Sequence, residues 1–227
     1  LIRVVGGTTA GLITSLLFAI SAPILVRGFM GWFKSEPLGL FYGLLGLYLF
    51  LSGIKSDNKK ISISKLIGGG VFLAFGLASW GGTQFFIIPI GIFIFILPFL
   101  RKDFRFLIWS IPVFVTSLLL TTAVFERPGM EFVLGIGGFS LIIPTMFLVI
   151  CSFIQKFNNS KNQTQNYLIL LVGIILISSS ILIINVENHF LPSPSFRYLN
   201  AINPFLTTTN PLVDSVSEHA TTTIHES

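Results

Sequence analysis

Residues 66–100 contain no Lys, Arg, Asp or Glu. One membrane crossing takes roughly 20 apolar residues, at about 1.5 Å of rise each through a hydrocarbon layer of about 30 Å. The run is therefore too long for one crossing and too apolar for a surface facing water. Near its middle stands Ser79-Trp80-Gly81-Gly82, two helix-breaking glycines after an aromatic suited to the membrane interface. Two crossings follow, 66–80 and 83–100. The rest of the chain agrees: its 227 residues are 52% hydrophobic and 10% charged, with mean hydropathy +0.86, whereas a soluble domain is roughly a quarter charged. Continuous apolar runs argue against a barrel, whose strands alternate in character over about 10 residues.

Further apolar runs at 4–26, 38–54, 106–125, 132–153 and 167–186 complete an all-α, polytopic bundle of about seven transmembrane helices occupying 1–186, followed by a polar tail at 187–227. Sorting the loops by side gives ten of the fourteen basic residues to one face: Arg3, Lys55, Lys59, Lys60, Lys65, Arg101, Lys102, Arg105, Lys156 and Lys161. The other face holds Arg27, Lys34, Arg127 and Arg197. The positive-inside bias puts the N-terminus in the cytoplasm and the tail outside a cell membrane. The net charge of +5 is thus a topology signal spread between apolar runs, and no nucleic-acid partner is expected. The N-x-S/T matches at Asn158 and Asn162 fall on the cytoplasmic side, away from glycosylation. A start at Leu1 without Met, and a stop in a Thr-rich stretch, suggest an internal piece of a longer chain.

Gly7 with Gly11, and Gly39 with Gly43, recur at the four-residue spacing that lets helix backbones approach closely in lipid. The Gly68-Gly69-Gly70 and Gly135-x-Gly137-Gly138 runs lie in apolar spans without the strand or the Lys-Ser/Thr of a phosphate loop, so they read as packing. Cys151, the single cysteine, also reads as packing. Pro89, Pro98, Pro112 and Pro144 suggest kinks that neighbouring helices tolerate. The spans hold no charged residue at mid-depth, which disfavours a transporter or channel.

Chemistry is expected in the external loops. Residues 27–37 end in Glu36-Pro37, a carboxylate before a proline that can open a helix, near the positive end of its dipole. Glu36 is either a functional acid or a capping residue paired at the surface with Arg27 or Lys34, a pairing that contributes little. The tail carries Arg197-Tyr198-Leu199, Asn203-Pro204-Phe205, Asn210-Pro211-Leu212-Val213 and Ser215-Val216-Ser217-Glu218-His219. Its aromatic residues place part of it against the membrane face.

That last string resembles the SVSEH motif of the catalytic subunit of oligosaccharyltransferase, a GT-C membrane glycosyltransferase that moves a glycan from a lipid diphosphate carrier to asparagine in N-x-S/T. The lead-in resembles its archaeal form, Ser79-Trp80-Gly81-Gly82 its SWGG turn, and residues 27–41 the loop with its second acidic motif. The resemblance covers nearly the whole chain, as the third to ninth of thirteen spans. It lacks the first acidic loop and the C-terminal WWDYG domain, so this piece alone would be inactive.

The resemblance implies that Glu218 helps hold Mn2+ or Mg2+ and faces the acceptor asparagine, with Ser215, Val216 and His219 beside it. Glu36 matches the second acid of the D-x-D/E motif and a further metal ligand, and Arg27 an arginine supporting that site. Lys34 departs from the pattern, standing where the family has an aspartate, and an ammonium cannot ligate a metal. Either other acids hold the ion, or the lysine charge substitutes for part of it, or the protein is a non-catalytic paralogue. The implied partners are a dolichyl phosphate- or diphosphate-linked oligosaccharide, an acceptor polypeptide and membrane lipids. The alternative enzyme is another GT-C transferase using a lipid-phosphate sugar.

Overall fold

The computed structural model describes residues 1–21, 35–100, 105–157 and 163–188. The sequons at Asn158 and Asn162 and the whole polar tail lie outside them. Among the described residues eight α-helices occur in order: α1 Ile2–Ala19, α2 Glu36–Ile54, α3 Lys59–Ser79, α4 Ile87–Leu100, α5 Arg105–Val124, a short α6 Gly129–Val133, α7 Ile136–Phe157 and α8 Gln163–Asn188. A 3-10 turn, Gly81–Phe86, leads into α4. No strand occurs among the described residues.

Among the described residues six helical stretches are long and apolar enough to cross a membrane: Ile2–Ala19, Glu36–Ile54, Lys59–Ser79, Gly81–Leu100, Phe106–Val124 and Ile136–Gln155. The chain is an all-α, multi-pass membrane protein with about six such helices, one fewer than the seven counted from sequence. The seventh apolar run falls in α8, a helix of 26 residues, of which Thr164–Ser180 is counted as an apolar stretch. The apolar run at 132–153 is also divided. It begins inside α6, turns at Leu134-Gly135, and resumes as α7, with Gly129 (φ 57°) turning the chain into α6.

The uncharged run at 66–100 divides at Trp80, whose extended backbone (φ −149°, ψ 120°) ends α3. On the opposite side, the Asn58 side chain accepts from the backbone N–H groups of Lys60 (3.0 Å) and Ile61 (3.4 Å), capping the start of α3. Pro89 sits in the first turn of α4, where a missing N–H costs little.

The core runs through α2, α3, α4, α5 and α7, and its closest backbone packing is the meeting of α2, α3 and α5. In lipid the hydrophobic effect does not drive one helix onto another, so close packing and hydrogen bonds must do so. A Cβ added at Gly46 would lie 2.9 Å from the Gly69 carbonyl oxygen and 2.9 Å from the Leu73 Cβ. At Gly70 it would meet the Ser117 Oγ, and the Leu118 nitrogen and Phe114 oxygen at 2.8 Å each. Backbone therefore touches backbone on both sides of α3. Hydroxyls join the same helices: Ser62 donates to the Gly53 carbonyl (2.8 Å) and Ser117 to the Ile67 carbonyl (2.9 Å). The Phe50 and Phe114 rings meet at a 45° tilt, 4.4 Å between centroids. Leu66, Leu73, Ile111 and Leu118 fill the space around them, fully buried.

The two four-residue glycine pairs part company. Gly39 and Gly43 are buried where α2 meets α3, a Cβ at Gly76 lying 3.2 Å from the Gly39 oxygen and 3.1 Å from the Gly43 nitrogen, and they also admit Trp80 and the Phe86 ring. Among the described residues Gly7 and Gly11 join no second helix. Gly7 takes a left-handed conformation (φ 84°, ψ 179°) that breaks α1, and the bend lays Arg3 over Gly11, where an added Cβ would be 3.1 Å from the Arg3 Cβ. Gly68-Gly69-Gly70 is helix interior in α3.

Candidate functional site

Ser35 precedes α2 without a side-chain cap, Glu36 stands in its first turn and Pro37 opens it. The first helical bond runs from the Gly39 N–H to the Ser35 carbonyl, 2.9 Å. Glu36 is half-buried, in the first turn with its orphan N–H groups, at the positive end of the helix dipole.

Against the start of α2, at Gly39 and Gly43, packs the 79–86 segment. Gly39 has no side chain where the Trp80 Cβ lies. Thr83, fully buried, donates its hydroxyl to the Gly76 carbonyl at 3.0 Å and approaches the Gly39 carbonyl at 3.4 Å. The structure thus joins two stretches that the sequence marks separately, the Glu36 loop and the Ser79-Trp80-Gly81-Gly82 turn, in one junction. Glu36, Pro37 and Trp80 stand at the mouth of an apolar groove of about 1110 Å3 between α1 and α2.

The C-terminal end of α5 belongs to the same side, since the Phe75 and Phe125 rings meet edge-on at 5.3 Å. Beyond it, Glu126, Arg127 and Glu131 are exposed. Gln84, in the 3-10 turn, has its Oε1 buried with no hydrogen-bond partner among the described residues. Sequence reasoning passes over Thr83 and Gln84. Their only signal is that they are polar residues in a run otherwise fit for lipid.

Of the residues expected at the site, Glu36 is described. Arg27, Lys34, Ser215, Val216, Glu218 and His219 lie outside the described residues. Among the described residues no group of three or more His, Cys, Asp or Glu side chains is placed to hold a metal ion. Glu36 can offer carboxylate oxygens, the ligand type that Mn2+ and Mg2+ prefer, but an ion of this kind needs several such donors.

The buried polar side chains among the described residues are hydroxyls: Ser62, Thr83, Ser110, Thr122 and Thr145. An all-α membrane bundle of this kind is consistent with a GT-C-type transmembrane domain. The comparisons with known proteins point the same way. The chain is 21% identical over 222 residues to the Dolichyl-diphosphooligosaccharide--protein glycosyltransferase subunit STT3B of Arabidopsis thaliana, covering 95% of this chain and 29% of that protein. It is 22% identical over 228 residues to the subunit of the same name in Oryza sativa subsp. japonica, covering 97% of this chain and 31% of that protein. The chain spans about three tenths of the length of these curated relatives. No family model matches it, and no solved structure does. The similarity is distant homology to the oligosaccharyltransferase STT3 family.

Proposed function

We propose that the chain is the central membrane part of an oligosaccharyltransferase catalytic subunit, transferring a glycan from a lipid diphosphate carrier to asparagine in N-x-S/T at the external membrane face. The observation that carries this reading is the placement of Glu36, a half-buried carboxylate in the first turn of α2, the helix whose Gly39 packs against Trp80. The distant similarity runs through the same stretch. On this reading the basic face is cytoplasmic, 1–186 is the transmembrane bundle and 187–227 an external loop bringing Glu218 to Glu36. Archaeal origin rests on the Arg197 to Val213 lead-in, while the relatives above are plant proteins.

Glu36 and Glu218 are then the acids that orient the acceptor amide, a gain from positioning two reactants, and Arg27 is a positioning residue beside them. Bound Mn2+ or Mg2+ would supply charge stabilisation for the departing diphosphate, its ligands Glu36, Glu218 and acids beyond this chain. Lys34 contributes a cation next to the same developing charge.

The test uses the full-length protein with a lipid-linked oligosaccharide and an acceptor peptide. Glu36→Gln should lower kcat by about a hundredfold, the scale of a lost electrostatic group at a reacting centre, with folding retained. Glu126→Gln, exposed on the same side, should change it less than twofold. Equal effects from both would remove Glu36 from the site. Transfer that needs no peptide would favour the alternative lipid-phosphate sugar transferase. No transfer by wild type, with the binding of carrier or peptide intact, would indicate a non-catalytic paralogue.

A further inference from the structure

Opposite the Glu36 end, basic groups gather by the break at Gly7. Close to the break, the Lys55 Nζ, from the end of α2, donates to the Val4 carbonyl at 2.8 Å. Lys65, on α3, donates to the Ser52 Oγ at 2.8 Å. Together with Arg3 and Tyr48 these residues line a cleft of about 420 Å3.

Three cations therefore face one cleft, and among the described residues none of them is in an ion pair with a carboxylate. Asp57, the acid of the adjoining loop, is exposed and does not line it. Like charges so gathered repel one another unless an anion sits between them. Arg3 also lines the apolar groove between α1 and α2, which runs on past Leu12 and Leu44 to Pro37. A basic cleft thus opens into an apolar channel at the membrane boundary.

We propose that this pair of cavities binds an anionic phospholipid, its phosphate among Arg3, Lys55 and Lys65 and its acyl chains along the α1–α2 groove. Charge selects the head and the groove selects a lipid over a soluble phosphate. The hydroxyls of Ser52 and Tyr48 are further donors for phosphate oxygens. The site lies at the opposite end of α2 from Glu36 and does not depend on the transferase reading.

The experiment measures lipid binding by the purified full-length protein in detergent, titrated with dioleoylphosphatidylglycerol, dioleoylphosphatidylcholine or inorganic phosphate. The phosphatidylglycerol should bind the more tightly of the two lipids. Lys55→Gln with Lys65→Gln should weaken it about thirtyfold, equivalent to about 2 kcal/mol for two juxtamembrane charges. Lys65→Gln alone, which leaves the Lys55 bond to Val4 intact, should weaken it about fivefold and guards against a folding defect in the double variant. Lys60→Gln, exposed on the same face, should leave it unchanged. Equal binding of both lipids, a Lys60→Gln loss as large as that of Lys65→Gln, or full displacement of the lipid by inorganic phosphate would each overturn the assignment.

Discussion

The α2–α3–α5 centre and the outer helix α1 are similar in apolarity and opposite in packing. Five residues of α2 and eight of α3 are buried, and none of α1 is. Both regions contain glycines at four-residue spacing, yet in the centre the glycines face other segments of the bundle and in α1 one makes a bend. Because lipid solvates a leucine as well as another helix does, apolarity alone assigns no neighbour. Shape and hydroxyl placement do. The centre is then a frame that fixes Glu36 relative to Trp80, while α1 offers the open walls of two cavities.

The largest effect should come from filling a glycine contact in that frame. Gly70→Val in the full-length protein places a Cβ against the Ser117 Oγ and against α5 backbone 2.8 Å away. Backbone cannot rotate aside as a side chain can, so α3 and α5 must separate, and the 2.9 Å bond from Ser117 to the Ile67 carbonyl goes with them. A loss of about 3 kcal/mol is expected, at the upper end for overpacking, read as a lowered thermal midpoint in detergent. An unchanged midpoint would mean that the centre is not tightly packed, and the contrast with α1 would fail.

A smaller effect should follow from a change of polarity without a change of shape. Thr83→Val keeps the volume that Gly39, Gly43 and Gly76 make room for, and removes the hydroxyl bond to Gly76. About 1 kcal/mol should be lost. The same variant should lower glycan transfer if the Trp80 turn positions Glu36. Lost stability with full transfer would confine Thr83 to a structural part.

The sequence reveals these regions unequally. The all-α, multi-pass class is legible because an uncharged run such as 66–100 has few other physical solutions in a membrane. The bend at Gly7 is not, since a left-handed glycine and a helix-contact glycine show the same letter and the same spacing. Nor is the division of 132–153, where the turn at Leu134-Gly135 is carried by one small residue in an apolar run. At the site, Glu36-Pro37 is legible as a helix start from its local chemistry. Its junction with Thr83 joins residues 44 apart in sequence, and no local pattern encodes which helix start a distant turn will cover.

The smallest effect tests the open side of the comparison. Gly173 lies in α8, and a Cβ there meets nothing within 4 Å. Its neighbours Val172, Ile175 and Leu176 are exposed. Gly173→Ala therefore adds a methyl group to a face with no packed neighbour among the described residues, and the helix gains the conformational advantage of Ala over Gly, about 1 kcal/mol or less. The expected result for the full-length protein is an unchanged or slightly raised thermal midpoint, in contrast to Gly70→Val. A clear fall would show that a segment beyond residues 1–188 packs closely on α8 and uses Gly173 as the centre uses Gly70. The difference between centre and edge would then belong to this stretch of chain, and the bundle would continue through α8 into the rest of the protein.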